Sequence, residues 1–301
     1  VLLFLGMLVI LAALGYAFFG LRAVVWAVTA AIPILLIGQR VSPQLMLRLY
    51  GARAIPAQGA PTLYRLVQSL SDRADLPRPP QLYYIPSPMM NAFSVGSRQD
   101  AALGITDGML RNLSQRELVG VLAHEIAHIR DNDMRVMGFA DMISRITGFL
   151  ARMGQLLLFS NLPMLMMGRP TFSWAGVLLL IVAPTLTGML QLALSRTREF
   201  QADLTAARLT GDPEGLASAL RKLEHNQAGL LGRILLPNYR RPNPSLFRTH
   251  PHTDERIERL LSLREPSRPR ITEEIRGEVE LPNNLPQPRR DPRWYVTGVW
   301  R

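Results

Sequence analysis

Long uninterrupted apolar runs open the chain. Residues 1–19 carry no charge, and a second apolar run at residues 23–38 follows the short turn that contains Arg22. A helix needs about 20 apolar residues to cross the hydrocarbon core of a bilayer. The two runs therefore predict an N-terminal transmembrane hairpin over residues 1–40. A cleaved signal peptide would account for the first run alone, so the second run argues against that alternative.

A second apolar zone lies at residues 146–195 and again has two parts. Residues 176–195 form a long apolar run and are a strong candidate for a spanning helix. Pro184 does not argue against this, since proline is tolerated inside a membrane helix. Residues 146–168 are interrupted by polar side chains, so this part either spans, lies partly in the interface, or belongs to a buried hairpin of a soluble core. With both zones counted, the pattern predicts about four transmembrane helices.

Outside these zones, polar and apolar residues alternate as they do in a soluble domain. Apolar residues at helical spacing predict a helix over residues 61–77. Ser114 and Glu117 have the spacing of a capping box, which predicts the start of a helix over about 115–130. The remaining predicted elements are three short strands at 81–87, 91–96 and 101–106, and two helices at 213–227 and 253–263. The expected fold class is mainly α with a small β-sheet.

The domain organisation expected from these patterns has three parts. The hairpin at residues 1–40 precedes a larger domain at 41–263, into which the apolar hairpin 146–195 is inserted. A tail rich in proline and arginine follows at 264–301, and its composition is typical of an extended or mobile segment.

The charge and the cysteine count narrow the chemistry. The chain has no cysteine, so disulfides, zinc fingers and thiol nucleophiles are excluded, and a metal could bind only through His, Asp or Glu. The formal net charge is +11, but the arginines are spread along the chain and Lys222 is the single lysine. This distribution does not predict a nucleic-acid partner. Arginines at 40, 48 and 53 follow the hairpin, so the positive-inside rule places the residues after 40 in the cytoplasm.

The segment VLAHEIAHIR, residues 121–130, carries the most specific chemistry. His124 and His128 are four residues apart on the predicted capped helix, so they project from one face and can share one ion. Glu125 lies to the side, where it can take a proton from an attacking water. Two imidazoles, a further protein ligand and an open position are what a catalytic zinc site needs. The alternative is an ordinary polar helix face without a metal.

The third ligand is not determined by spacing. In SRTREFQAD, Glu199 lies four residues before Asp203, so both carboxylates share one helix face. Glu199 could complete a two-His, one-Glu site, and Asp203 could accept the free ring N–H of a histidine ligand. Asp131, Asp133 and Glu214 compete for the same role. A solvated helix end is the alternative that involves no metal.

Three motifs in this order resemble a known family. HEIAHIRDND, SRTREFQAD and RTHPHTDERI, placed behind a two-helix hairpin and with an apolar hairpin between the first two, look like the HtpX-type membrane zinc metalloproteases. These are gluzincins related to the CaaX prenyl endopeptidases. The resemblance runs to about residue 263 and implies a membrane-anchored gluzincin-type domain.

The resemblance also implies roles for single residues. Glu199 corresponds to the third zinc ligand beside His124 and His128, and Asp203 to the carboxylate partner of a ligand histidine. His250, in the Thr-His-Pro motif, corresponds to a histidine near the metal that stabilises the oxyanion or adds a transient ligand. Arg256 is implied as a structural partner of a carboxylate near the site.

Substrate binding is implied for the stretch NAFSVG. Asn91, Ala92 and Phe93 correspond to a family edge strand beside the cleft, which would bind a substrate as an added strand through backbone hydrogen bonds. His225 and His252 are expected to be solvated or to lie outside the site. The Met-rich run at 164–168 is expected to pack or to face lipid rather than to bind copper.

The function expected from the residues and the resemblance together is that of a membrane-embedded zinc endopeptidase with one Zn²⁺ per chain. Its expected partners are the lipid bilayer and substrates that are misfolded membrane proteins or unfolded polypeptides, and its expected place is the inner (plasma) membrane. It would be multi-pass, with the catalytic domain in the cytoplasm. The alternatives are a non-catalytic scaffold stapled by zinc, and a processing enzyme for lipid-modified peptides.

Overall fold

The structure is a computed structural model that describes residues 2–16, 20, 47, 51–160, 162–167, 174–234, 253–263, 270 and 271. The second predicted hydrophobic run at 23–38, His250 and almost all of the tail lie outside the described residues.

Helices dominate the described part of the chain. In chain order they are α1 (Leu2–Tyr16), α2 (Pro61–Arg73), α3 (Asp107–Asn112), α4 (Gln115–Arg130), α5 (Asp133–Ser160), α6 (Leu162–Met166), α7 (Trp174–Thr210), α8 (Pro213–Ile234) and α9 (Thr253–Leu261), with a short 3₁₀ turn at Ala57–Gly59. The strands are β1 (Arg53–Ala54), β2 (Gln81–Ile85), β3 (Ala92–Gly96) and β4 (Ala101–Thr106). The expectation of a mainly α fold with a small sheet is confirmed.

The sheet is mixed, with strand order β1-β2-β4-β3. β2 and β4 run parallel, while β1 pairs with β2, and β3 with β4, in antiparallel fashion. β4 lies between β2 and β3 and is buried along its whole length. β3 is therefore an edge strand of this sheet.

Several predicted element ends were wrong. The helix predicted over 61–77 stops at Arg73, because Asp75 takes a left-handed backbone conformation with φ 54° before Pro77 is reached. The helix predicted over 213–227 continues to Ile234. The stretch 146–168 is divided between the end of α5 and the short α6.

The described residues divide into two compact units. One, which we call the apolar unit, comprises Val1–Val41 and Arg135–Thr197, and the other, which we call the sheet unit, comprises Ser42–Met134 and Arg198–Arg301. The sheet unit has a continuous hydrophobic core drawn from α2, the sheet, α4, α8 and α9. Its largest fully buried side chains include Leu66, Tyr84, Leu103, Ile105 and Leu122.

The apolar unit is held by two small clusters of buried side chains. One consists of Met7, Ala140, Ile143 and Leu194, and the other of Leu14, Ala151, Leu180 and Ala183. Each cluster joins α1 to parts of α5 and α7. The alanines let the helix backbones approach closely, which is typical of helix packing in membranes.

Membrane-spanning capacity is found at one place in the described residues. The Gly176–Thr210 part of α7 is long and apolar enough to cross a membrane, whereas Leu2–Tyr16 is a shorter apolar helix. The expectation of about four transmembrane helices is therefore not confirmed.

Candidate metal centre

Helix α4 carries the His-Glu-x-x-His motif, and a capping box defines where this helix begins. The Ser114 side chain accepts a hydrogen bond from the Glu117 backbone N–H, and the Glu117 carboxylate accepts one from the Ser114 backbone N–H at 2.8 Å, which completes the predicted capping box. Gly120 lies so close to α8 that a Cβ there would come within 2.8 Å of the Leu216 backbone. The start and the packing of α4 thus fix where the motif lies in the sheet unit.

His124 is enclosed by two carboxylates from α7. Its Nε2 lies 3.4 Å from Glu199 Oε2, and its Nδ1 lies 3.0 Å from Asp203 Oδ1. Glu199 and Asp203 are one helical turn apart, so they reach the two nitrogens of the same imidazole ring. All three side chains are buried.

His128 has a carboxylate partner of its own. Its Nδ1 lies 2.7 Å from Asp133 Oδ2, and Asp133 in turn forms an ion pair with Arg198. Asn132, with φ 54°, separates α4 from α5 and turns the chain back so that Asp133 can face His128. Both histidines therefore engage a carboxylate through Nδ1, and this leaves Nε2 for the centre of the site.

Arg256 from α9 closes the buried side of the cluster. Its Nε and one terminal nitrogen donate to the two carboxylate oxygens of Asp203, each at 2.7 Å. Its other terminal nitrogen lies 3.1 Å from Glu199 Oε2. The guanidinium therefore offsets two buried negative charges and orients both carboxylates.

The ligand atoms of His124, His128 and Glu199 lie within 4.8 Å of one another. The two Nε2 atoms are 3.1 Å apart, and His128 Nε2 lies 3.7 Å from Glu199 Oε1. Ligands at the bond lengths of tetrahedral zinc are separated by roughly 3.3 Å, so this spacing fits one small ion. Two imidazole nitrogens and a carboxylate are also a donor set that zinc accepts, and we conclude that the residues fit a metal.

The electrostatics of His124 favour a cation. Burial opposes the charged imidazole, but the contacts with Asp203 and Glu199 outweigh it and raise the pKa of His124 to about 10. The same negative environment that holds a proton here would also attract a metal ion, which competes with that proton for Nε2.

The exposed side of the cluster faces the edge of the sheet. Glu125 and His128 are partly exposed, unlike His124. Ser94 of the edge strand β3 donates from Oγ to Glu125 Oε2 at 2.9 Å. Glu125 therefore lies beside β3 on the less buried side of the cluster, and a carboxylate is a group that can exchange a proton.

The residues predicted for substrate binding lie at this edge. Asn91 is buried next to β3, where its backbone N–H donates to Thr106 Oγ1 at 2.9 Å and its carbonyl accepts from the same hydroxyl at 2.7 Å. Ala92 and Phe93 begin the strand itself. Their role in substrate binding stays a prediction, as does that of His250.

The competing carboxylates are engaged elsewhere. Asp131 lies 3.5 Å from Arg198, Asp133 faces His128 Nδ1, and Glu214 lies 2.6 Å from Arg116. Among the described residues, Glu199 is the carboxylate that joins both histidines in a group able to hold a metal. Its role as a ligand is still a prediction.

Two contacts were missed by reasoning from the sequence. Asp133 was considered as a ligand and not as the partner of His128, although an asparagine after a helix end is a recognisable signal for a left-handed turn. The bond from Ser94 to Glu125 joins two residues 31 positions apart. No local pattern in the sequence indicates that contact.

Comparison with known proteins supplies independent findings. Residues 57–264 match the family model described as Peptidase family M48. The chain is similar to the "Protease HtpX homolog" of Acaryochloris marina, with 43% identity over 234 residues that cover 74% of this chain and 78% of the relative. It is also similar to the "Protease HtpX homolog" of Methylibium petroleiphilum, with 37% identity over 243 residues that cover 74% of this chain and 81% of the relative.

A solved structure shares the fold. The crystal structure of Ste24p from S. mikatae matches with a TM-score of 0.51 and 19% sequence identity. The match covers 85% of this chain and 62% of Ste24p, so this chain spans less than two thirds of that protein. At this level of identity the likeness concerns the fold alone.

Proposed function

Because this chain belongs to peptidase family M48, a family of proteases, we propose that it is a zinc-dependent endopeptidase that acts at a membrane. The observation that carries the proposal is the convergence of His124, His128 and Glu199 within 4.8 Å, with Glu125 next to them at the open side.

Each side chain has a proposed task. His124, His128 and Glu199 would hold one zinc ion. When bound, the ion supplies a Lewis acid that polarises a carbonyl and lowers the pKa of water. Glu125 acts as the base that takes the proton of the attacking water and later delivers it to the leaving amine.

The surrounding residues prepare this arrangement. Asp203 and Asp133 hold the two imidazoles through Nδ1, so that each Nε2 lone pair is directed to the centre. Arg256 keeps Glu199 and Asp203 in place and offsets their charge. His250 is proposed as a stabiliser of the oxyanion on the strength of the family motif around it.

A substrate would bind along β3. We propose that the polypeptide adds to the sheet as a further strand beside Asn91, Ala92 and Phe93, because β3 is an edge strand next to Glu125. Backbone hydrogen bonds of this kind read little sequence. Such binding suits an enzyme that cleaves many unfolded segments rather than one defined site.

The apolar unit and the family resemblance support a proposal for the cellular role. We propose a multi-pass protein of the inner (plasma) membrane with its catalytic part in the cytoplasm, organised as a hairpin at 1–40, a protease domain at 41–263 with the insertion 146–195, and a tail at 264–301. Its proposed substrates are misfolded or damaged membrane proteins. The outward apolar side chains of α7 and the excess of arginine after residue 40 support this placement.

The experiment that tests this role compares three substrates of the purified protein in lipid vesicles. A destabilised membrane protein, its folded parent and an unfolded soluble protein are offered to wild type and to Glu125→Gln. We expect wild type to cut the destabilised membrane protein fastest, with cutting abolished by a chelator and absent in the variant. Cleavage of the soluble protein alone would make the quality-control role wrong, while leaving the peptidase activity in place.

A further inference from the structure

The hydroxyl of Ser94 reaches the side chain proposed as the catalytic base. Ser94 Oγ donates to Glu125 Oε2 at 2.9 Å, and both side chains are partly buried. A hydroxyl that donates to a carboxylate forms a charge-assisted hydrogen bond, which is stronger than one between neutral groups. This contact selects one orientation of a side chain that otherwise has three rotatable bonds.

We propose that Ser94 is a positioning residue that holds the Glu125 carboxylate toward a substrate bound along β3. The inference rests on the proposed function, since it assigns Glu125 the part of the base. With Oε2 engaged by Ser94, the second oxygen, Oε1, is available to accept a proton from water. Ser94 itself neither donates nor accepts a proton in the reaction.

The register of the sheet gives Ser94 a second connection to the substrate. Residues of an antiparallel pair alternate between hydrogen-bonded and non-hydrogen-bonded positions. The Thr106 N–H donates to the Asn91 carbonyl at 3.0 Å, and Ser97 and Asp100 exchange N–H···O bonds of 2.9 and 3.1 Å. In residues 91–97, therefore, the odd-numbered residues direct their backbone N–H and carbonyl groups toward β4.

The even-numbered residues then have the opposite orientation. The backbone N–H and carbonyl groups of Ala92, Ser94 and Gly96 are directed away from β4, toward the edge where a polypeptide would add. Ser94 therefore offers its backbone to the substrate and its hydroxyl to the base. One residue thus sets the position of the carboxylate relative to the peptide bond that is cut.

The rate of the reaction depends more strongly on the position of the Glu125 carboxylate relative to the peptide bond than the binding of the substrate does. A misplacement of about 1 Å in a reacting group lowers the rate by about 100-fold. Loss of the hydroxyl leaves the backbone of β3 unchanged, so substrate binding should persist. The expected consequence is a lower kcat at nearly constant KM.

The test uses the full chain, loaded with zinc, and a quenched fluorogenic peptide that wild type cleaves. Ser94→Ala should lower kcat by about 10- to 100-fold, with KM, zinc content and melting temperature unchanged. Ser94→Thr should restore most of kcat, because it keeps the hydroxyl and β-branched residues suit a strand. Ser97→Ala is the matched control, since its exposed hydroxyl contacts Gln99 just after the same strand.

The outcomes separate this inference from the proposed function. Metal-dependent cleavage by wild type that is lost in Glu125→Gln supports the function, whatever Ser94 does. If Ser94→Ala then cleaves as fast as Ser97→Ala, if only its KM changes, or if Ser94→Thr is as slow as Ser94→Ala, the positioning role is overturned. If wild type does not cleave, the proposed function fails first and the role assigned to Ser94 fails with it.

Discussion

In the sheet unit the large apolar side chains lie inside, whereas in the apolar unit many of them face outward. Among the described residues, every exposed large hydrophobic side chain except Leu261 belongs to the apolar unit. The sheet unit, in contrast, has ionisable side chains in its interior. It buries His124, Glu199, Asp203 and Arg256 around the candidate metal centre.

This difference shows what each unit requires from its surroundings. Exposed apolar surface of this extent is not stable in water and indicates contact with lipid or another apolar partner. The buried charges of the sheet unit, by contrast, are stable only while each has its partner.

Removing the buried cation should have the largest effect on stability. Arg256→Met removes the arginine that pairs with the carboxylates of Asp203 and Glu199, and breaking a buried ion pair in this way costs about 3–5 kcal/mol. Arg259→Met is the control, because Arg259 is exposed and pairs with Glu255 on the surface of the same helix. We expect it to cost less than about 1 kcal/mol. Denaturant unfolding in detergent measures the free energy of unfolding of both variants. Equal losses would show that the buried ion pairs of Arg256 are not required for stability.

Placing a charge on the outward apolar face should come next. Leu186 in α7 and Leu261 in α9 are exposed to similar extents, 42% and 47%. If Leu186 faces lipid, Leu186→Arg should cost about 2.5–3.5 kcal/mol of membrane insertion, while Leu261→Arg should be close to neutral. The fraction of protein that stays in the membrane after alkaline extraction checks this. Equal retention of the two variants would show that α7 does not need an apolar surrounding.

A methyl group added to a packed helix interface should have an intermediate effect. Gly120→Ala would bring a Cβ within 2.8 Å of the Leu216 backbone and force α4 and α8 apart, at a cost of about 1–3 kcal/mol. Gly138→Ala lies in a helix of the apolar unit where no atom is within 4 Å of the added Cβ. Thermal unfolding should show a lower melting temperature for Gly120→Ala only. Helix propensity favours alanine over glycine at both positions, so a fall for both would mean that this contact does not determine the result.

The smallest effect concerns Glu117. Burial would raise its pKa, but the hydrogen bonds from Lys222, Ser218 and Ser114 outweigh burial and lower the pKa to about 2 from a usual value of 4.5. Glu117→Gln keeps the capping box, in which Gln can replace Glu, and removes only the charge. We expect Glu117→Gln to lower the free energy of unfolding by about 1–2 kcal/mol at neutral pH. The loss is small because Lys222 is half exposed.

The sign of the pH dependence follows from the lowered pKa. The carboxylate stabilises the folded state above the unfolded pKa of 4.5, and this contribution is lost as the pH falls toward about 2. The stability difference between wild type and Glu117→Gln should therefore shrink over this range. Unfolding measured at several pH values tests this, and a difference that stays constant would show that the charge is not responsible.

Features of this fold that depend on neighbouring residues could be predicted from the sequence, whereas contacts between segments far apart in the chain could not. The capped helix that carries His124 and His128 was predicted because capping and helical spacing act within a few residues. The three strands were found for the same reason, but the order β1-β2-β4-β3 depends on pairing between distant segments. The end of α2 was missed because the turn at Asp75 outweighs the later proline signal.

The candidate site shows the same limit. Spacing placed Glu199 and Asp203 on one helix face but left Asp131, Asp133 and Glu214 as competitors. The meeting of α7 with α4 distinguishes Glu199 from the other carboxylates, and a single sequence does not contain that distance. Resemblance to a family pointed to the same residue, which is information from other chains rather than from this one.

Metal content and peptide cleavage, measured together on wild type and Glu125→Gln purified in detergent, test the metal site and the role of Glu125 directly. We expect about one zinc per chain in both proteins and cleavage by wild type only, because Glu125 takes part in the reaction without holding the metal. Zinc in both proteins with equal cleavage would contradict the role of Glu125. Wild-type protein that binds no metal would contradict the site itself.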